Sequence, residues 1–503
     1  MLQQLKKYWE EQPLTVALLA GAFFRLISVI FSKGYGMHDD HFLVIESAQS
    51  WVAGTDYNNW LPEFQKGEPK PTGHSLFYSG IHYIYFEFLE LLHIKGPQTK
   101  MFFVRLLHAA YSLLVVYFGY KIAFKAAGKK VAGTVALLLA LIWFWPVMSV
   151  RNLVEMVSIP PLIAATWILY KNEDNKKLSI FILAGLIAGF AMAFRFQSVL
   201  FIGGMGLALL LQRKWLGSII FGVGAAVSFS LSQLSDIFIW GQPFVETATY
   251  IQYNIDNAET YFKQGEQLYF LFIGGMLIPP ISLLLMFGFA RKWKKHLVLF
   301  LPALLFFAFH TYFPNKQERF ILPVIPFLIT LGYIGWHEFY SNSKFWAKNI
   351  RLHRVSWGFF WTINTTALLI FSPSYTKKSR VESMIYLSEQ KDFQSFIIDC
   401  SHRGDFPMPP KFYLNDWGNY YWVVQGFPLE RLIDAMPRIP EKHQPNYVVF
   451  AESGEIKKRV AKYREFYPEM KLKATIEPGN IDQLLYWLNP KNRNDTYYIY
   501  KLY

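Results

Sequence analysis

Long apolar runs constrain this chain more than any other feature. A membrane-spanning helix needs about 20 mostly apolar residues, and about eleven such stretches can be marked along the sequence. They are 14–32, 101–124, 131–148, 157–170, 178–194, 196–211, 216–240, 267–289, 297–313, 320–337 and 355–373. Several are short, and the two flanking Arg195 read either as half-helices or as a re-entrant hairpin. Hydrophobic residues make up 53% of the chain and charged residues only 17%, which excludes an ordinary soluble enzyme and fits a polytopic helical membrane protein with a water-exposed part. The first run is longer than a signal-peptide core and has no convincing cleavage site, so it is read as a helix of the mature protein.

The net charge of +14 raises the question of nucleic acid. Its placement answers it. Lysine and arginine gather in alternate short loops: Lys125, Lys129 and Lys130; Lys171, Lys176 and Lys177; Arg213 and Lys214; Arg291, Lys292, Lys294 and Lys295; Lys344, Lys348, Arg351 and Arg354. Short basic loops stay cytoplasmic, so the N-terminus with Lys6 and Lys7 is expected inside and the C-terminal region outside. The remaining role of this charge is attraction to anionic lipid. The single cysteine, Cys400, cannot form an internal disulfide and reads as incidental, although His402 and Arg403 are near it in sequence.

Three segments fall outside on this topology: 33–100, 241–266 and 374–503. The first has an irregular middle, 54–73, and an aromatic stretch, 76–92, that fits an amphipathic helix lying in the interface. The tail, 374–503, changes composition and is expected to form a small extracytoplasmic α/β domain, with strands near 393–398, 447–450 and 497–503 and a helix at 455–465. Residues 1–373 form the expected membrane domain.

Ionisable groups at membrane depth are costly and by default mark function. Four clusters of them fall at the outer ends of the predicted helices. His38, Asp39, Asp40 and His41 follow the first run; adjacent carboxylates there either bind a cation or hold a general base and its orienting partner. A solvated loop or a helix N-cap is the plain alternative. Arg151, Asn152 and Glu155 come next, with arginine and glutamate spaced to pair on one helical face. Arg195 and Gln197 interrupt an apolar stretch, where an arginine needs an anion or a carbonyl unless it snorkels to the surface. The fourth cluster is Asn315, Lys316, Glu318 and Arg319. A lysine and an arginine three apart at a helix start make a phosphate site. This basic cluster lies on the side where basic loops are not expected, unless a helix has been miscounted.

Taken in order, these clusters resemble the family-22 glycosyltransferases, membrane mannosyltransferases of the GT-C superfold. That family opens with a P-D-E-H-F pattern, and here His38, Asp39, Asp40, His41 and Phe42 stand in its place. Arg151, Asn152, Glu155 and then Arg195 are similar to its next motifs, with different spacing in the second loop. Asp236 to Gly241, running on to Tyr253 and Asn254, is the closest match. The last motif, H-K-E-x-R-F, is similar to 315–320: Lys316, Arg319 and Phe320 are kept, while Asn315 and Gln317 differ. The resemblance covers about residues 14–340.

The resemblance implies an inverting enzyme that moves a sugar, mannose in the family, from a polyprenyl-phosphate donor to a glycan or lipid-linked acceptor at the outer membrane face. Asp39 would be the catalytic base, with Asp40 as orienter or substitute. Lys316, Arg319, Arg195 and Arg151 would hold the donor phosphate. His41, Glu155, Asp236, Asn254 and Glu318 would shape the substrate pocket. No cofactor is implied; a divalent metal at Asp39 and Asp40 with His38 or His41 is the alternative reading. A transporter or flippase for a lipid-linked or anionic substrate is the alternative from another class, but its polar residues would collect at the midplane. The compact chain suggests a bacterial inner membrane.

Overall fold

The structure is a computed structural model and describes residues 2–175, 177–260, 263–489 and 493–503. Lys176 of the second basic loop and residues 261–262 of the second outer segment lie outside the described residues. Each apolar run falls on helix. Among the described residues, four helices are long and apolar enough to cross a membrane: Pro13–Phe31, Pro97–Leu141, Trp215–Trp240 and Glu318–Asn342. A fifth such stretch is a pair, Leu268–Met276 and Ile281–Arg291, bent by 116° at a short break. Leu178–Phe194, Ser198–Leu211 and Leu297–Tyr312 are apolar but shorter.

The run 101–124 and the first part of 131–148 lie within one helical stretch, Pro97–Leu141, interrupted at Gly128; the rest of the second run reaches into the short helix Trp145–Ser149. There φ is 80° and ψ is 179°, a conformation that only glycine adopts readily. The limbs on either side fold back on each other: a Cβ on Gly119 would stand 2.2 Å from Leu139 Cδ1. A continuous helix would hold those residues about 30 Å apart. Lys125, Lys129 and Lys130 therefore sit at the tip of a helical hairpin.

The chain divides into two compact units. The first comprises Met1–Val29, Asn59–Ile81 and Phe103–Ser372; the second comprises Ile30–Asn58, His82–Phe102 and Pro373–Tyr503. Within the first, Leu178–Phe194 and Trp215–Ser232 pack backbone to backbone. Gly185 and Gly189 make this approach feasible, since a Cβ on either would fall within 2.3 Å of a carbonyl oxygen, Phe221 O and Ala225 O respectively. Small residues four apart are the usual means of close helix pairing where burial of apolar surface gives no net drive.

The second unit contains a five-stranded sheet: β1 Phe396–Cys400, β2 Tyr421–Val424, β3 Tyr447–Phe450, β4 Lys471–Ile476 and β5 Tyr497–Lys501, in the order β2-β1-β3-β5-β4. β1 runs parallel to β2 and β3, while β5 is antiparallel to β3 and β4. β1 and β3 are buried throughout; β3 is an unbroken apolar run and β1 is apolar except for Asp399, as suits central strands. The expected strand at 447–450 and helix at 455–465 match β3 and Ile456–Phe466. The sequence missed β2 and β4. Both are edge strands, and β4 is largely exposed with Lys471 and Lys473 on it, so neither carries a core pattern.

Candidate functional site

Sequence-marked residues of the first unit converge on Glu155. Its helix, Val154–Lys171, starts one residue earlier, so Glu155 lies in the first turn, where the helix dipole favours a carboxylate. Arg151 and Asn152 precede the helix instead of sharing its face, and both are buried. The carbonyl of Asn152 accepts from the Tyr78 hydroxyl at 3.3 Å. Arg195 is the residue at which Leu178–Phe194 ends, with extended backbone, before Ser198–Leu211 begins. That break is what the interrupted apolar run around it reflects.

Arg195 Nη1 stands 3.2 Å from Glu155 Oε1, and Arg319 Nε stands 3.7 Å from the same oxygen. The Arg195 guanidinium lies over the rings of Phe306, at 5.7 Å, and Phe320, at 5.1 Å. Arg319 lies over Phe320 as well, at 5.6 Å. All three charged side chains are buried. Arg319 belongs to the 3₁₀ turn Glu318–Val324 that leads into Ile325–Asn342. Lys316, also buried, precedes this turn and donates to the carbonyl of Phe313. Glu318 is exposed. Glu155 Oε2 is buried without a hydrogen-bond partner among the described residues.

Gln197 connects this cluster to a further helix, Val245–Asp256, through a hydrogen bond with the Tyr250 hydroxyl. Asn254 follows one turn later, and its amide donates to Tyr250 O at 2.8 Å. Asp236 is buried, and its Oδ2 accepts from the backbone N–H of Glu246 at 3.1 Å. Sequence reasoning passed over Glu246. Its Oε2 accepts the N–H groups of Thr72, Gly73 and His74 at 3.1, 2.6 and 3.1 Å, and its Oε1 accepts from Trp240 Nε1 at 2.9 Å. Burial nevertheless pushes the Glu246 pKa up. The signal that could have found it is an acid in the first turn of a helix that follows a helix-ending glycine, Gly241.

The first acidic cluster belongs to the second unit. Asp39 is half-buried and Asp40 buried, at the start of a π-helical turn, Asp40–Glu46. His38 is exposed, and its ring lies 4.4 Å from that of Phe42. His41 is 1% exposed and stacks between Tyr35 and Tyr413, with centroids at 4.5 and 5.5 Å. Its Nε2 lies 3.1 Å from Glu46 Oε1. Glu46 was likewise not singled out from sequence; a single acid within an apolar run was the available signal. No group of three or more His, Cys, Asp and Glu side chains among the described residues is placed to hold a metal ion.

In chemical terms, the first unit holds two buried arginines around one carboxylate in a low-dielectric setting, with the buried Lys316 three residues before Arg319 in sequence. That cluster has surplus positive charge and suits a bound anion. The second unit holds adjacent carboxylates, one of them within reach of water.

The family model described as the Alg9-like mannosyltransferase family matches residues 16–396. No curated protein matches the chain. Among solved structures, ArnT from Cupriavidus metallidurans bound to undecaprenyl phosphate is similar with a TM-score of 0.57 and 14% identity, over 98% of each chain. The archaeal oligosaccharyltransferase AglB from Archaeoglobus fulgidus, in complex with an inhibitory peptide and a dolichol-phosphate, is similar with a TM-score of 0.52 and 12% identity, over 91% of this chain and 71% of that one. These likenesses give the fold, that of the GT-C glycosyltransferases.

Proposed function

The chain belongs to the Alg9-like mannosyltransferase family, and from that premise we propose that it transfers mannose, with inversion, from a polyprenyl-phosphate donor to a glycan or lipid-linked acceptor at the outer face of a membrane. It is a membrane glycosyltransferase of the GT-C fold. The observation that carries the donor assignment is the buried pair of arginines, Arg195 and Arg319, on Glu155, with the buried Lys316 three residues before Arg319. The polyprenyl phosphates bound by ArnT and AglB support the same donor class.

In the proposed reaction, an acceptor hydroxyl attacks the anomeric carbon while its proton passes to Asp39. The bond between that carbon and the phosphate oxygen breaks, and its electron pair stays on the lipid phosphate. Charge therefore grows on the leaving group, where preorganised cations stabilise the transition state most. Arg195, Arg319 and Lys316 have this role, with Arg151 assisting. Asp40 orients the base. Glu155, Asp236, Asn254, Glu318 and His41 shape the surroundings of sugar and acceptor. Because cationic side chains meet the leaving phosphate, the reading takes no metal. On the proposed topology about eleven spans place the N-terminus in the cytoplasm and residues 374–503 outside, in a bacterial inner membrane.

The test is transfer of radiolabelled mannose from polyprenyl-phosphate mannose to a lipid extract of the source membrane. Wild type is compared with Asp39→Asn and Arg195→Met. Transfer by wild type and its loss in both variants is the expected result. Failure of wild type with every polyprenyl-phosphate sugar would sink the reading in favour of transport of a lipid-linked substrate.

A further inference from the structure

We propose that Glu46 is a positioning residue for the Asp39–Asp40 loop, acting through the imidazole of His41; this rests on the reading of Asp39 as the base. Residues 41 and 46 are five apart. Around an α-helix they would point about 140° away from each other. In the π-helical turn Asp40–Glu46 they stand one above the other, and Nε2 of His41 lies 3.1 Å from Oε1 of Glu46. π-Turns are rare, and they recur at functional sites. Here the wider turn is what brings this pair together, and Asp40, next to Asp39, is its first residue.

The pair is locked from every side. The Glu46 carboxylate, fully buried, accepts the backbone N–H of Phe412 with both oxygens, at 3.0 and 2.9 Å. The imidazole cannot tilt, because Tyr35 and Tyr413 cover its two faces with rings within 14° of parallel. An ionised carboxylate only accepts, so the His41 proton sits on Nε2 and is donated to Glu46. The other ring nitrogen, Nδ1, is buried with no hydrogen-bond partner among the described residues. A carboxylate fixing the tautomer of an imidazole is a recurrent way to set a catalytic group. An unpartnered buried nitrogen is costly to keep and signals a use beyond packing. Glu46 thus holds the orientation of a ring that stands two residues along the chain from the proposed base.

An amide at position 46 tests this. Facing Phe412 N–H with its oxygen, a glutamine turns its NH₂ toward His41 and forces the proton onto Nδ1. Glu46→Gln and His41→Gln are each expected to lower kcat by about tenfold or more while KM for polyprenyl-phosphate mannose stays within about twofold. Because the two residues act as one unit, the double variant is expected to be no worse than the weaker single by more than about twofold. A purely structural role would instead lower the amount of folded enzyme and leave kcat per folded molecule unchanged. Thermal melting and size-exclusion profiles measure that amount for each variant. A folded Glu46→Gln enzyme with wild-type kcat, or losses that multiply in the double variant, would overturn the proposal. If Glu46→Gln does not fold, His41→Gln decides alone, and wild-type kcat there overturns it. Asp39→Asn is assayed in parallel. An active Asp39→Asn enzyme removes the base assignment and the positioning proposal with it; an inactive one beside an active Glu46→Gln removes the positioning proposal only.

Discussion

Glu155 and Arg195 meet at 3.2 Å with both side chains buried, one opening a helix and the other standing in the break between two others. Deleting one partner of a buried ion pair typically costs about 3–5 kcal/mol, because the remaining charge is left without compensation. The two directions of deletion differ here. Arg195→Met removes a cation from the proposed phosphate site and is expected to lower kcat by about 100-fold or more. Glu155→Gln leaves Arg195 and Arg319 facing each other without their shared carboxylate. The free protein should melt earlier than wild type, and added polyprenyl phosphate should raise its melting temperature by more than it raises that of wild type. Equal ligand shifts in the two proteins would show that Glu155 does not compete with the anion.

Glu246 fastens the loop at Thr72, Gly73 and His74 to the helix Val245–Asp256. One carboxylate oxygen faces three N–H groups and the other faces the Trp240 indole N–H. A glutamine has only one acceptor oxygen, so Glu246→Gln sets its NH₂ against donors whichever way it turns. Each charged hydrogen bond lost here is worth about 1.5–3 kcal/mol. The neighbouring stretch 66–70 is exposed and offers trypsin the bond after Lys66, whereas Lys70 is followed by Pro71. Trypsin is expected to cut there faster in Glu246→Gln than in wild type, with Trp240→Phe intermediate. Identical digestion rates would mean that the clamp does not restrain this loop.

Much of this architecture was legible in the sequence because apolar periodicity reports burial directly. Each apolar run falls on helix, and β3 matched its expected bounds. Pairing was less legible. The four-residue spacing of Arg151 and Glu155 suggested one shared helical face, but Arg151 precedes the helix in whose first turn Glu155 lies, and Glu155 is also met by Arg195 and Arg319 from distant segments. Sequence spacing cannot show where a helix begins to within a residue, and a one-residue change moves a side chain about 100° round the axis. Glu46 and Glu246 escaped notice for a related reason. Their partners are mostly backbone N–H groups, of Phe412 and of Thr72–His74 respectively, and backbone donors leave no trace in residue identity.

The hairpin at Gly128 separates backbone strain from crowding. A Cβ at Gly128 would touch nothing within 4 Å, yet φ is 80° and ψ 179°. Gly128→Ala is therefore expected to cost about 1–3 kcal/mol through conformation alone. At Gly119 the limiting contact is instead Leu139 Cδ1, the movable end of a side chain. Gly119→Ala combined with Leu139→Ala should recover stability relative to Gly119→Ala, whereas no neighbouring truncation should rescue Gly128→Ala. Thermal melting of the three variants beside wild type decides this. A Gly128→Ala protein that melts with wild type would show that the chain does not turn back at this residue.

Lys411 gives the second unit a pH dependence whose sign is fixed by burial. Its ammonium donates to Gly418 O and lies 5.7 Å from the Trp417 ring centroid, and removal from water lowers its pKa from 10.5 to about 8. The unfolded chain holds this proton up to about pH 10.5, while the folded chain releases it near 8. Between those values the unfolded state binds more protons, so stability rises with pH, at a slope of at most about 1.4 kcal/mol per pH unit for one group. The cost of the buried charge is fully present below pH 8 and relieved toward pH 10.5. Lys377 is also lowered to about 8, with burial the main cause, so wild type alone cannot isolate Lys411. Lys411→Met can. The melting temperature of wild type minus that of Lys411→Met is expected to be flat from pH 6.5 to 7.5 and to climb from 8 to 10, while the same difference for Lys457→Met, an exposed lysine, stays flat throughout. A Lys411 difference that falls with pH would mean that its partners stabilise the charged form more than burial penalises it.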